Sequence, residues 1–283
     1  VLARGRTLEA LRAGPLTLTD DGATRAVRLH AVADPREVAP VGLAVVCVKG
    51  FDTEAAARAL APALAPDAIV LSLQNGVGNP ALLARLLPGA TIGGVAVYLG
   101  CQRLAPDHVV RRPSRDPSTG RLRDLLAGGG PGRAGAALAG LAEAIGVPAR
   151  IDADPAPALW TKLVANVALN TVTALGRARV GPVLAEPRAV ELMLALGREV
   201  VSVARAAGVA VDPRAAEDYV ADARRRLPAA GGSSTLFDLE AGRRLEREAL
   251  VGAVVAEGAR LGVEVPVSRA CDALLRLLEP GTP

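Results

Sequence analysis

Ala68-Ile69-Val70-Leu71-Ser72-Leu73-Gln74-Asn75-Gly76-Val77-Gly78 joins an almost continuous apolar run to an abrupt polar turn containing glycine. A short run rich in branched residues and without polar alternation reads as a strand covered on both faces. Two similar runs stand on either side of it, Leu43–Val48 and Thr91–Val97. Between and after them the spacing predicts helices at about 53–64, 80–87 and 134–145. Strands that alternate with helices in this way predict a parallel sheet layered between helices. Such sheets bind ligands beyond the carboxyl ends of their strands. Lys49 directly follows the run Leu43–Val48 and Asn75 directly follows Ala68–Leu73, which makes both candidates for lining a site. Gly76 and Gly78 either bring backbone close to a ligand or simply form the turn. Asn79 followed by Pro80 has the pattern of an N-cap with proline at N1, a structural role.

Residues 100–135 are rich in Pro, Gly and Arg and include the basic stretch Arg111-Arg112-Pro113-Ser114-Arg115. They read as a solvated loop or a weakly formed hairpin. Beyond them the chain reads as helical, with helices at about 157–175, 187–207, 213–227, 237–261 and 268–278. The first of these carries the sharpest pattern in the sequence. Lys162, Asn166, Asn170 and Thr173 fall at i, i+4, i+8 and i+11 and so share one helix face. The rest of that helix is almost wholly apolar, which predicts burial nearly all round. A buried polar group without a partner costs roughly 1–3 kcal/mol, and a charge costs more. Asparagine is also a poor residue for a helix interior. The stripe therefore reads as the lining of a pocket, the alternative being a hydrogen-bonded seam between helices with Lys162 reaching water along its stem.

Composition narrows the function classes. A chain of 283 residues, 51% of them hydrophobic, can bury the cores of two domains. No run of about 18 apolar residues predicts a membrane span. Cys47, Cys101 and Cys271 are far apart and lack C-x-x-C spacing, so neither a disulfide framework nor a metal site is expected, and a reducing cytoplasm is. His30 and His108 read as solvated or structurally satisfied. A formal charge of +4 with only 2% aromatic residues argues against nucleic acid and suits small anionic ligands. Only Lys49 and Lys162 are lysines among 33 basic residues, and the asparagines are Asn75, Asn79, Asn166 and Asn170. Where arginine has replaced lysine almost everywhere, the survivors mark places that want a compact ammonium with a movable pKa.

Four patterns taken together resemble the ketopantoate reductases (2-dehydropantoate 2-reductases). They are Trp160-x-Lys162-Leu163-x-x-Asn166-x-x-x-Asn170, Val48-Lys49 after a strand, Asn75-Gly76-x-Gly78, and Ser233-Ser234-x-x-x-Asp238 followed by Glu246 and Gly252. Each is weak alone, but in this order and spacing they are fairly specific and span nearly the whole chain. The resemblance implies an α/β fold: a Rossmann-type parallel-sheet domain over residues 1–153, then an all-helical domain over 154–283, with NADP in the cleft between. It implies reduction of a small branched 2-oxo acid by NADPH, 2-dehydropantoate to pantoate in pantothenate biosynthesis. Lys162 would be the general acid at the keto oxygen, assisted by Glu246. Asn166, Asn170 and Ser234 would hold the substrate's carboxylate and hydroxyl, while Lys49, Asn75 and Gly76 would lie near the nicotinamide, its ribose and the substrate. A preorganised cation suits an oxyanion that develops in a dry site, and desolvation tunes a lysine toward proton donation. Without the resemblance, Glu246 within Arg243-Arg244-Leu245-Glu246-Arg247-Glu248 reads as part of a solvated helix face, and Thr235-x-x-Asp238 reads as a capping box beside Ser234.

The chain also departs from the family. It carries no G-x-G-x-x-G near its start, where the family opens with that fingerprint, and Val1-Leu2-Ala3-Arg4-Gly5-Arg6 resembles the tail of the family's second strand. The expectation is that the first strand, glycine turn and first helix are missing, roughly 20–30 residues. Arg4 then stands at the ribose-binding position, with Arg6 close behind and no acidic residue, which favours NADP over NAD. Val180-Gly181 replaces a frequent Asn-Gly pair, Val251 replaces an asparagine before Gly252, and Arg111–Gly130 matches the family's strands poorly. These changes leave the reaction type in place and widen the choice of substrate. Two other readings remain. A 3-hydroxyacid or 6-phosphogluconate-type dehydrogenase also uses a Lys-x-x-x-Asn helix, but enters it through glycines and not through Pro155-Ala156-Pro157. The other is a truncated, non-catalytic binding protein. The expected partner is a small 2-oxo acid, with no nucleic acid and no membrane; a second copy of the chain is left open.

Overall fold

The computed structural model describes residues 1–38, 40–113 and 124–279. The chain divides into two compact units, one made of residues 1–47, 53–73 and 82–153, the other of residues 48–52, 74–81 and 154–283.

The first unit contains, in chain order, α1 (Gly5–Ala13), β1 (Leu16–Asp20), β2 (Ala23–Val27), β3 (Val41–Val46), α2 (Thr53–Leu60), β4 (Leu64–Ser72), most of α3 (Asn79–Leu86), β5 (Thr91–Tyr98), β6 (Cys101–Ala105), β7 (His108–Arg111), β8 (Leu125–Gly129), α4 (Arg133–Ile145) and β9 (Ala149–Asp152). Its main sheet has the order β3-β4-β5-β8-β9. Strands β3, β4 and β5 are parallel, as the alternation predicts, while β8 runs antiparallel to β5 and β9 follows β8. The run in β4 is continuously apolar because successive side chains point to opposite faces and both faces are filled. Val70 packs with Val46, Ala57, Leu83 and Leu87, and Leu71 with Val95, Leu126 and Leu138. The cover expected on both faces of β3 is not complete. That strand is an edge, and Leu43 and Val45 are 42% and 40% exposed.

A second sheet, in the order β2-β1-β7-β6, was not anticipated. Its strands are short and half polar, so they lack the unbroken apolar signal. The turn between β1 and β2 places Asp21 and Gly22 at φ 50° and 85°, the left-handed pair that a two-residue Asp-Gly hairpin requires. His108 on β7 is structurally satisfied, with Nε2 3.1 Å from Thr19 Oγ1. The loop or hairpin expected over 100–135 holds for the hairpin and is corrected for β8. β6 and β7 form a hairpin and β8 joins the main sheet, while residues 114–123 lie outside the described residues. Nor is Arg111 a solvated cation: it is largely buried between Asp20 (3.2 Å) and Asp124 (2.9 Å), whose charges compensate its own.

In the second unit α5 (Ala156–Leu175) is followed by α6 (Val180–Ala185), α7 (Pro187–Ala206), α8 (Ala215–Arg226), α9 (Ser234–Glu240), α10 (Val251–Leu261) and α11 (Pro266–Leu278). α5 is buried nearly all round and supplies Leu163, Val164, Val167 and Ala168 to a core shared with Met193, Leu196 and Val200 of α7. Gly197 lets α7 approach α8 closely, since a Cβ there would lie 2.7 Å from the Ala216 methyl. The single helix expected over 237–261 is in fact two, α9 and α10, separated by a turn and a short 3-10 segment at Arg247–Ala249. Gly242 at φ 62° ends the first of them, and Leu250, at φ −109° and ψ −103°, marks the re-entry. No helix among the described residues is long and apolar enough to cross a membrane.

Candidate functional site

Eight of the nine residues singled out in the sequence (Lys49, Asn75, Gly76, Lys162, Asn166, Asn170, Ser234 and Glu246) belong to the second unit. The two loops that follow β3 and β4, residues 48–52 and 74–81, are counted with the helices. Arg4 belongs to the first unit, where it is exposed immediately before α1.

The 48–52 loop is fixed by charge. Lys49 Nζ donates to Asp238 Oδ2 at 2.7 Å and to Glu246 Oε2 at 2.9 Å, and the Gly50 amide donates to Glu246 Oε1 at 3.1 Å. Both carboxylates are buried, at 5% and 6% exposure, so an ammonium between them offsets a desolvation neither could bear alone. Burial pulls the Lys49 pKa down, but the hydrogen bonds and charges of Asp238 and Glu246 outweigh it, and the pKa stands above the ordinary lysine value. Arg243 Nε bonds the other oxygen of Asp238 at 2.8 Å. Glu246 is thus neither on a helix nor solvated. It turns inward because Lys49 and the Gly50 amide are there to receive it.

The 74–81 loop is held by amides. Gln74 Nε2 donates to the Val48 carbonyl at 3.0 Å, and Asn79 Nδ2 donates to the Asn75 carbonyl at 2.7 Å. Asn79 is the first residue of α3 rather than a cap outside it, and its role is structural as expected. Gly76 has φ 92°, and a Cβ on it would lie 2.5 Å from the Ala249 carbonyl oxygen. Here the close approach is to the chain's own backbone. Asn75 Oδ1 accepts from Asn166 Nδ2 on α5 at 3.4 Å.

Along α5 the stripe separates into two kinds of position. Desolvation brings Lys162 down to a pKa of about 8, against the opposing charge of Glu246. Asn170 Nδ2 reaches Ser234 Oγ at 3.4 Å, a long bond that leaves both groups capacity for another partner. Thr173 is different. It is fully buried and its Oγ1 bonds the Leu169 carbonyl (2.8 Å), the Asn170 carbonyl (3.2 Å) and Ser233 Oγ (2.7 Å), which makes a seam between helices. The cap of α9 is Ser233, which accepts from the Leu236 amide at 3.1 Å; the capping box starting at Thr235 does not form. Asp238, which joins Lys49 to Arg243, was missed as a site residue. Its position four residues after Ser234 on one helix was the available signal.

An ammonium of lowered pKa, a buried carboxylate and an arc of amides and hydroxyls can bind a small carboxylic acid and pass a proton to an oxygen on it. Residues 1–122 match the family model described as ketopantoate reductase PanE/ApbA, and residues 155–279 match that family's C-terminal model. A 2-dehydropantoate 2-reductase of Halobacterium salinarum is 36% identical over 262 residues, 92% of this chain and 83% of the relative. The Archaeoglobus fulgidus protein of the same name is 32% identical over 99% of this chain and 89% of its own. A crystal structure of a PanE/ApbA family ketopantoate reductase from Ralstonia eutropha superposes with a TM-score of 0.86 at 34% identity, covering 98% of this chain and 89% of that one. With a matching model over each half, two such relatives and a shared fold, the chain belongs to the PanE/ApbA ketopantoate reductase family.

Proposed function

We propose that this chain reduces a small branched 2-oxo acid, with 2-dehydropantoate as the substrate and NADPH as the hydride source. The observation that carries the reading is Lys162: an ammonium on a buried helix, with a pKa of about 8, on the same face as Asn166 and Asn170. The relatives' names supply the substrate. In this reading Asn170 and Ser234 receive the carboxylate, Asn166 and Asn75 the hydroxyl, and Lys162 donates its proton to the keto oxygen. Glu246 keeps the ammonium form populated. Lys49 holds Glu246 in place, and Gly76 shapes the turn that carries Asn75. The domain reading, residues 1–153 for the cofactor and 154–283 for the substrate, then needs one change: the loops 48–52 and 74–81 go with the second part.

NADPH, when bound, supplies the hydride that reaches C2. Its 2′-phosphate fits what the start of α1 presents: Arg4 and Arg6 are both exposed, and the first turn holds no acidic residue. The positive end of a helix and two guanidinium groups suit a phosphate monoester.

The test is turnover of a panel of 2-oxo acids with NADPH. 2-Dehydropantoate is expected to give the highest kcat/KM, and Lys162→Ala to lower its turnover by at least about a hundredfold, the scale of general acid catalysis. Near-normal turnover of Lys162→Ala would remove Lys162 from the mechanism. A higher kcat/KM on an unbranched 2-oxo acid would change the substrate but leave the reaction.

A further inference from the structure

The hydroxyls of Thr173 and Ser233 lie in a part of the second unit that the proposed chemistry does not use, yet both are buried and adjoin the residues proposed to hold the substrate. The direction of their hydrogen bonds follows from donor counting. Carbonyls only accept, so the Thr173 proton goes to the carbonyls of Leu169 (2.8 Å) and Asn170 (3.2 Å). With that proton used, the 2.7 Å contact must carry the Ser233 proton to Thr173 Oγ1. Ser233 Oγ in turn accepts the Leu236 amide at 3.1 Å. The result is a one-way chain, Leu236 N–H to Ser233 O–H to Thr173 O–H to the backbone of α5, in which every hydroxyl proton is used.

This chain fastens the first turn of α9 to α5 at the turn that bears Asn170. Nearby backbone bonds hold the segment leading into it: Val180 N to the Gly231 carbonyl at 2.9 Å and Gly181 N to the Ala229 carbonyl at 2.8 Å. A Cβ on Gly181 would stand 2.7 Å from the Ala229 methyl, so the approach is as tight as backbone allows. Ser234, next in sequence to the cap, is thereby set with its Oγ 3.4 Å from Asn170 Nδ2. That separation is too long for a strong mutual bond, and both groups keep capacity for a ligand oxygen.

We propose that Thr173 and Ser233 are positioning residues whose hydroxyl relay sets the spacing of Asn170 and Ser234 for the carboxylate of the 2-oxo acid. The inference rests on the reading of Asn170 and Ser234 as substrate-binding. Neither hydroxyl donates to substrate in this arrangement, because the proton of each is used within the relay.

The experiment compares Thr173→Val, Thr173→Ser, Ser233→Ala and Ser234→Ala, each confirmed folded by circular dichroism. Thr173→Val keeps the shape of the side chain and removes the hydroxyl. The expected result is a rise of about three- to tenfold in KM for 2-dehydropantoate, the scale of one hydrogen bond, with kcat and the NADPH Kd within about twofold. Thr173→Ser, which restores the hydroxyl, should return KM to the wild-type value. Thr173→Val and Ser233→Ala should be non-additive in the double variant, because both break one relay. A lowered Tm with unchanged KM in Thr173→Val would overturn the positioning role and leave a purely structural seam. An unchanged KM in Ser234→Ala would instead overturn the substrate reading, and the inference with it.

Discussion

The two lysines that survive in this arginine-rich chain sit in opposite electrostatic surroundings. Lys49 bridges two buried carboxylates at 2.7 and 2.9 Å and is held charged. For Lys162 desolvation outweighs the favourable charge of Glu246, and its pKa falls to about 8. A planar guanidinium could not serve in place of Lys162, because it does not release a proton. When like groups are pushed to opposite pKa values, their roles divide. In the proposed reaction Lys49 serves as a fixed counter-ion and Lys162 as the proton donor. The sign of the pH dependence follows. The donor is the ammonium, present below about 8 and lost above it, so kcat/KM for keto-acid reduction should be flat below that pH. Above it the rate should fall by about tenfold per pH unit. Lys162→Arg should show a low rate and no such fall. A wild-type profile that stays flat to pH 10 would mean that another group supplies the proton.

Elements were legible in the sequence where one period dominated. The apolar runs of β3, β4 and β5 and the length of α5 are close to their expected bounds because each is decided by its own side chains. The stripe on α5 was legible for the same reason, since Lys162, Asn166 and Asn170 are placed by helical spacing alone. What was not legible depended on distant partners. Arg243–Glu248 carries a helical charge pattern, and Arg244 does pair with Glu248 at 3.0 Å, yet the chain forms no α-helix there. It turns because Lys49 and Gly50, nearly two hundred positions away in sequence, receive Glu246. The strands β1, β2, β6 and β7 find their places in pairing rather than in hydrophobicity, although Asp21-Gly22 was a readable turn signal. Gly76 shows how an element boundary enforces a residue type. Its φ of 92° and the 2.5 Å from a built Cβ to the Ala249 carbonyl oxygen forbid a side chain. Gly76→Ala should therefore cost about 1–3 kcal/mol in chemical denaturation. Gly78→Ala, with open space around it and no positive φ, should cost little. Equal losses at the two positions would mean that the turn yields locally and that Gly76 serves another purpose.

At the scale of the whole molecule, charge connects the two ligands of the proposed reaction. The formal charge is only +4, because 29 acidic residues offset 33 basic ones, and several arginines stand in local ion pairs, as Arg111 does with Asp20 and Asp124, and Arg247 with Asp272 and Glu279. Arg4 and Arg6 make none among the described residues, and they stand where α1 begins with no side-chain cap on its free amides. Guanidinium groups beside an uncapped helix start produce a local positive field that the net charge does not reveal, and in the proposed reaction that field favours a cofactor with an extra phosphate. Arg4→Ala should therefore weaken NADPH binding by about ten- to a hundredfold, the scale of a charge-assisted hydrogen bond, and leave NADH within about twofold. Fluorescence titration of both cofactors at low and high salt measures this directly. The preference for NADPH should shrink as salt screens the exposed arginines, and in Arg4→Ala it should depend on salt much less. An equal loss for NADPH and NADH would place the discriminating charge elsewhere on the first unit.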